Sequence, residues 1–414
     1  MHSRARDAAV GIVRALREAG YEAYLAGGCV RDELLGLAPH DYDVATSAPP
    51  DDVQRVFART REVGKAFAVV QVRFGGVWTE VATFRAEGTY TDRRRPDSIR
   101  LTDAREDALR RDFTINALFL DPLEVSTDER GRVVDYVGGV GDLEAGLVRA
   151  VGDPAARLAE DHLRALRAVR FAARLGFAVE RATGEAVRAH ASSLDGVSRE
   201  RVGEECRKML GHAHRAHAVA LMHELGLDGP ALGQASVGSI EVVALAGVGA
   251  GSDAAAGLSA GLLDRAGGDA SDAAGSGGVA TRSMCLSNEE RADVQEMVGL
   301  VATIGGAWVG LGVAGRKRAA SRGRFGESLA MVAARDPQLG KDVRVAVESL
   351  ASDGVGLAPV PLVTGDTLIA RGLEPGPKFG EWLERVYDAQ LEGRVREPEA
   401  AAALVLSWAS SVDE

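Results

Sequence analysis

LAGGCVRDELLGLAPHDYDVATS, residues 25–47, decides how the chain reads. A short apolar strand, YEAYLAGG, runs into the double glycine Gly27-Gly28. VRDELLGL (30–37) continues as one or two helical turns, and HDYDVATS (40–47) alternates as a strand. A glycine turn before a helix lets backbone N–H groups approach a phosphate, and the helix start favours the anion. Arg31 in the first turn would grip the same group. Asp41 and Asp43, two apart on a strand, would share a face and repel unless a cation sits between them. Mg²⁺ suits such an oxygen site completed by substrate phosphates. The ordinary alternatives are a tight turn and a solvated strand end. Together the features describe a nucleoside triphosphate site with Mg²⁺, and no G-x-x-x-x-G-K-[ST] P-loop occurs.

Outward from this segment, residues 5–19 predict an amphipathic helix ending at Gly20. Pro49-Pro50-Asp51-Asp52 opens a helix through about Thr60. Segments 62–74 and 77–85 predict strands around Gly75-Gly76. Glu80, on the second of them, is either a third carboxylate near the metal or an exposed strand residue. Residues 86–111 read as a charged loop, followed by a short helix and strand in DFTINALFLDP. Here Arg110-Arg111-Asp112 precedes Asn116. Asp112 as a helix cap would share a face with Asn116, and the group suits a triphosphate and a ribose. A capped surface helix is the alternative. The first ~145 residues are thus α/β with short sequential strands.

From about residue 154 helical spacing dominates. EDHLRALRAVRFAARLGF (160–177) is the clearest case, with Gly176 as its stop. Asp161 and Arg164 are three apart on this helix. They read either as an intrahelical ion pair or as a base reader. A carboxylate accepting from an exocyclic amino group and a guanidinium donating to a ring nitrogen would suit C and A, and would oppose G and U. Residues 230–281, poor in charge and rich in Gly, Ala and Ser, read as loosely specified helices with flexible connections, partly disordered. Residues 286–350 return to helical pattern, and GLEPGPKFG (372–380) precedes a last helical section. RKRAASRGR (316–324) is a candidate phosphate contact or a solvated helix face. His212, His214, His217 and His223 read as a polar helix face. A histidine–aspartate hydrolase would need a His-Asp pair there, and the only one is His40-Asp41.

Composition sets the limits. The 414 residues carry a net charge of −11, which argues against non-specific coating of nucleic acid but not against a local basic groove. Of the 49 basic residues 44 are Arg, either a compositional bias or a demand for planar forks. Cys29, Cys206 and Cys285 exclude a disulfide framework and fit a reducing compartment. The charged first 30 residues show no signal peptide, and no apolar run approaches the ~18 residues of a membrane span. The expectation is a soluble cytoplasmic protein.

Segments 25–47, 63–72 (VGKAFAVVQV), 80–99, 106–122, 160–177 and 197–210 together resemble the class II tRNA nucleotidyltransferases. These are the bacterial CCA-adding enzymes and their poly(A) polymerase relatives, of the polymerase-β-like superfamily. LSNEER (286–291) and 362–386 look like the family's body and tail. The resemblance implies an α+β fold: a polymerase-β-like head with a small mixed sheet (1–145), followed by an all-α neck (146–210), body (211–350) and tail (351–414). It implies that Asp41 and Asp43 hold two Mg²⁺ ions for catalysis; the catalytic reading of Glu80 rests on its place on the strand, not on the resemblance. Gly27, Gly28, Arg31 and Arg111 would meet the triphosphate, and Asp112 and Asn116 the ribose. Asp161 and Arg164 would be the protein template for C and A. His162 stands where the family often has Pro and is expected to face away from that pair. Segment 85–100 looks like the full-length flexible loop, and VGKAFAVV resembles the tRNA-specific branch. The implied activity is addition of CCA to tRNA 3′ ends from CTP and ATP, with tRNA as partner. An A-adding enzyme, a poly(A) polymerase and a catalytically inactive RNA-binding protein are the alternatives.

Overall fold

The computed structural model describes residues 4–62, 68–87, 99–124 and 130–410. Most of the 85–100 segment and part of VGKAFAVV lie outside these residues. The chain divides into two compact units, residues 1–206 with 221–231, and residues 207–220 with 232–414.

The first unit opens with α1 (Arg4–Glu18), which buries Ala8, Ala9, Ile12, Val13 and Leu16 at three-to-four spacing and stops before Gly20 at φ +88°. Then come β1 (Ala23–Ala26), α2 (Gly28–Leu34), β2 (Asp43–Thr46), α3 (Pro50–Val56), β3 (Thr60–Glu62), β4 (Val69–Phe74) and β5 (Val77–Thr83). β6 (Arg85–Glu87) and β7 (Ile99–Leu101) form a separate two-stranded ladder before α4 (Ala104–Leu109). β8 (Phe119–Asp121) and β9 (Arg132–Val134) complete the main sheet, ordered β3-β4-β5-β2-β1-β8-β9. Its neighbours are antiparallel except β2 and β5, which makes it the expected small mixed sheet. Tyr24, Phe84 and Phe119 pack on one another in its core.

Two local expectations change. α3 ends at Val56 rather than near Thr60, because Phe57 turns extended to bury its ring edge-on against Phe74, and Thr60 then pairs with Val72. The charged loop before Arg111 contains α4, capped by Asp103 accepting from the Glu106 N–H.

Next come α5 (Gly139–Ala145), β10 (Leu147–Val148), α6 (Pro154–Glu160), α7 (Arg164–Leu175), β11 (Ala178–Val179), α8 (Arg181–His190), α9 (Arg199–Leu210), α10 (Arg215–Glu224) and α11 (Asp228–Leu232). The long helix expected from residue 160 is broken, since Asp161 is extended (φ −150°, ψ 104°) and α7 starts at Arg164.

The second unit is helical among its described residues. Its helices are α12 (Val243–Gly247), α13 (Ala254–Arg265), α14 (Ala270–Ser283), α15 (Asn288–Ala302), α16 (Val313–Ala320), α17 (Phe325–Arg335), α18 (Pro337–Ala351), α19 (Gly365–Ala370), α20 (Lys378–Leu391) and α21 (Pro398–Ser410). The 230–281 stretch thus forms the end of α11, then α12, α13 and most of α14, joined by non-helical segments at 233–242, 248–253 and 266–269. α13 is buried on every side from Ala255 to Asp264, so it needs no charged face. Small residues permit close approach: a Cβ on Gly257 would strike the Leu210 carbonyl, and one on Gly247 would strike Ala334.

Candidate functional site

The glycine turn comes first. Gly27 has φ +75°, a conformation that demands glycine, and a Cβ there would press on Arg111 Nη1 at 3.0 Å. α2 then presents Arg31. Its Nη1 donates to Asn116 Oδ1 at 2.6 Å and its Nε to Asp32 Oδ1 at 2.8 Å, while the guanidinium lies 5.1 Å over the Phe171 ring of α7. Arg174 of α7 holds the other Asp32 oxygen at 3.0 Å.

Asp107 on α4 receives both Arg110 and Arg111. Burial opposes its ionisation, but the two guanidiniums together hold the carboxyl below the ordinary range. Arg111 also donates to the Asn116 carbonyl at 3.0 Å. Asp112 precedes, and Asn116 ends, a short turn of 3₁₀ helix, Thr114–Asn116, rather than a longer capped helix. Asp112 Oδ1 accepts from the Phe113 N–H and from Asn116 Nδ2, while Oδ2 pairs with Arg167 at 2.6 Å. Burial of Asp112 is outweighed by Arg167 and these hydrogen bonds, which hold its carboxyl at about 2.

Asp43 opens β2, and Asp41 precedes the strand, so the two are not paired along one strand face as expected. Asp43 is the register partner of Glu80 on the parallel β5. Burial pushes its carboxyl up to about 7, aided by Asp41 and then Glu80, with Arg111 opposing. Asp41 and Glu80 thus both add negative potential at Asp43. Among the described residues no group of three or more His, Cys, Asp or Glu is placed to hold a metal ion, so a cation here would have at most the carboxylates of Asp41 and Asp43 as protein donors. A hard cation completed by phosphate oxygens fits that donor set and would relieve the repulsion at Asp43.

Asp161 and Arg164 do not form the intrahelical ion pair. Asp161 Oδ1 accepts from the Leu163 N–H at 3.1 Å and Oδ2 pairs with Arg201 of α9 at 2.6 Å. Arg164 donates to Glu160 and to the Arg157 carbonyl. His162 is buried with its ring stacked on His190, 5.4 Å between centroids.

These residues surround one cavity of about 390 Å³. Gly27, Gly28, Arg31 and Asp43 line one part, and Arg110, Arg111, Asp112 and Asn116 another. Asp161, Arg164, Arg167 and Phe171 line the rest. Asp41 and Glu80 are exposed and do not line it. Arg167 and Phe171 escaped the sequence reading, although they follow Arg164 by three and seven residues and share its helix face. Arg201, which grips Asp161 from forty residues away, left no local signal.

The basic run behaves differently. Arg316 donates to the Trp308 and Val309 carbonyls, Lys317 pairs with Asp353 at 2.6 Å, and Arg318 pairs with Glu384 and Asp388. Arg324 pairs with Asp253, Asp293 and Glu327. Most of the run thus serves the fold of the second unit, which tells against the phosphate-contact reading. In the histidine group, His212 and His214 stack edge-on and His223 lies 3.3 Å from Asp228.

The mixed sheet with its cavity matches the architecture expected of a polymerase-β-like head. Residues 23–149 match the model of the poly A polymerase head domain, and residues 176–229 that of the probable RNA and SrmB-binding site of polymerase A. A CCA-adding enzyme of Limosilactobacillus fermentum is 46% identical over 200 residues, 48% of each chain. One of Geobacillus thermodenitrificans is 44% identical over 221 residues, 53% of each chain. The match thus spans about half the length of these curated relatives. The crystal structure of the Bacillus stearothermophilus CCA-adding enzyme in complex with CTP is similar over 100% of this chain and 99% of that one, at 28% identity and a TM-score of 0.78. The Thermotoga maritima CCA-adding enzyme complexed with tRNA shares the fold at 18% identity and a TM-score of 0.65. The chain is thus similar to the poly A polymerase head and RNA-binding models over residues 23–149 and 176–229, and to CCA-adding enzymes over about half of its length in sequence and all of it in fold.

Proposed function

We propose that the protein adds C, C and A to tRNA 3′ ends, using CTP and ATP and releasing pyrophosphate. The observation that carries this reading is the single cavity joining the Gly27-Gly28 turn, Asp43 and the Asp161/Arg164 pair. The full-length likeness to a CCA-adding enzyme in complex with CTP supports it.

In this reading the Gly27 and Gly28 backbone, Arg31 and Arg111 receive the triphosphate. Asp112 and Asn116 face the ribose and keep their geometry through Arg167 and Arg31. Asp161 accepts the amino hydrogen of C or A, and Arg164 donates to the ring nitrogen. Each Asp161 oxygen carries a second lone pair beyond those engaged by Leu163 and Arg201. Guanine and uracil offer the reverse order and are rejected. The tRNA 3′-hydroxyl attacks the α-phosphate, its proton leaves, and the bond to the β-phosphate breaks to release pyrophosphate. Asp41 and Asp43 would hold Mg²⁺, which when bound lowers the pKa of the attacking hydroxyl and neutralises the leaving group. Glu80, opposite Asp43 in register, adds negative charge that favours cation retention.

We further read residues 1–145 as catalytic head, 146–210 as the nucleobase-selecting neck, 211–350 as body and 351–414 as the tRNA-binding tail. A cytoplasmic location fits this chemistry, and among the described residues no helix is long and apolar enough to cross a membrane. Incubation with tRNA ending at the discriminator base and labelled CTP tests the reading. Successive C, C and A incorporation is expected. Failure to incorporate C, with A added to a CC end, would leave an A-adding enzyme or poly(A) polymerase.

A further inference from the structure

Two ladders fix the Asp43 backbone, through Ala26 on β1 and Glu80 on β5, and neither includes Asp41. Something else must place that carboxylate. Between the two acids stands Tyr42, which is buried. Its Oη donates to Glu33 Oε1 at 2.7 Å, and Arg6 Nε from α1 donates to the same oxygen at 2.7 Å. Arg6 Nη2 also donates to the Arg130 carbonyl at 2.8 Å, and Arg130 Nη1 returns to the Glu33 carbonyl at 2.5 Å. Glu33 is therefore held through both side chain and main chain. It lies on α2, two residues past Arg31.

We propose that Glu33, braced by Arg6, is the positioning residue for Asp41. Through Tyr42 it ties the segment before β2 to the same helix that carries Gly28 and Arg31, so phosphate cradle and carboxylate share one frame. The tether replaces the strand pairing that Asp41 lacks. This inference rests on the reading of Asp41 and Asp43 as the divalent-cation carboxylates.

Tyr42→Phe keeps the ring and removes the tether. On the full-length protein it should weaken Mn²⁺ binding, read by electron paramagnetic resonance titration, by about 10-fold, as loss of an outer-shell support does. The Mg²⁺ needed for half-maximal C incorporation should rise in parallel, with the thermal midpoint and the KM for CTP at saturating Mg²⁺ unchanged. Glu33→Gln, which keeps an acceptor for Tyr42, should recover most of what Glu33→Ala loses. Unchanged Mn²⁺ affinity in Tyr42→Phe, beside a loss in Asp41→Asn, would sink the positioning role and leave the metal reading standing. If Asp41→Asn also binds Mn²⁺ like the parent, the metal reading falls and the tether proposal with it.

Discussion

Arginines crowd two places in this molecule, and they differ in what their pairing leaves over. Around the cavity, Arg31, Arg110, Arg111, Arg164 and Arg167 each rest on a carboxylate yet still border about 390 Å³ of open space. In the 316–324 run, the guanidiniums of Arg316, Arg318 and Arg324 spend their donors on carbonyls and carboxylates of their own unit. Arginine density therefore does not locate a site. A braced guanidinium facing a void does, because the brace fixes its fork before the anion arrives and less ordering remains to be done on binding.

Substitutions can break that contrast, and the largest effect belongs to the acid among the cavity arginines. Asp43→Asn should cut C incorporation by about 10³-fold, the scale of several kcal/mol of lost transition-state stabilisation, measured by single-turnover assay. Arg164→Ala should narrow the preference for C and A over U and G by roughly 10–100-fold, from loss of a bidentate reader. Equal loss for all four nucleotides would count against the template assignment. Arg167→Met leaves Asp112 buried without its cation and should cost about 2 kcal/mol in chemical denaturation, below the full cost of breaking a buried pair because Arg167 is one-third exposed. Asp112 is held at about 2, so its contribution is present above the ordinary carboxylate range and fades as pH falls toward 2. The Arg167→Met deficit should therefore shrink in acid.

Asp43 behaves in the opposite sense. Its carboxyl sits at about 7, so its proton favours the fold at low pH and that support is lost as pH rises from about 4 through 7. In chelator, Asp43→Asn should raise the thermal midpoint by a few degrees at pH 8 and leave it unchanged near pH 4. Smallest of all, Arg318→Ala should leave incorporation unchanged and cost under about 1 kcal/mol, as expected for partly exposed pairs.

Local chemistry was legible in the sequence where neighbours along the chain decide it. The Gly27-Gly28 turn, α2 and β2 need only a few residues each, and the cavity collects nine of the eleven residues expected in the site. The break at Asp161 was hidden because its partner, Arg201, lies forty residues on. The true start of β2 depends on ladders to Ala26 and Glu80. In 230–281 the helical stripe was invisible because α13 has no solvent face, and its buried Asp264 is satisfied by the Ala244 and Leu245 N–H groups and Arg335.

The Asp112–Arg167 and Asp32–Arg174 pairs, with Arg31 stacked on Phe171, stitch residues 31–116 to α7. For anyone building chimeras, this sets where the chain can be cut. A foreign head grafted at residue 145 would meet this α7 with its own residues in place of Asp32 and Asp112. Exchange of base preference between relatives should therefore succeed only when the graft runs past Arg174, carrying both halves of each pair together.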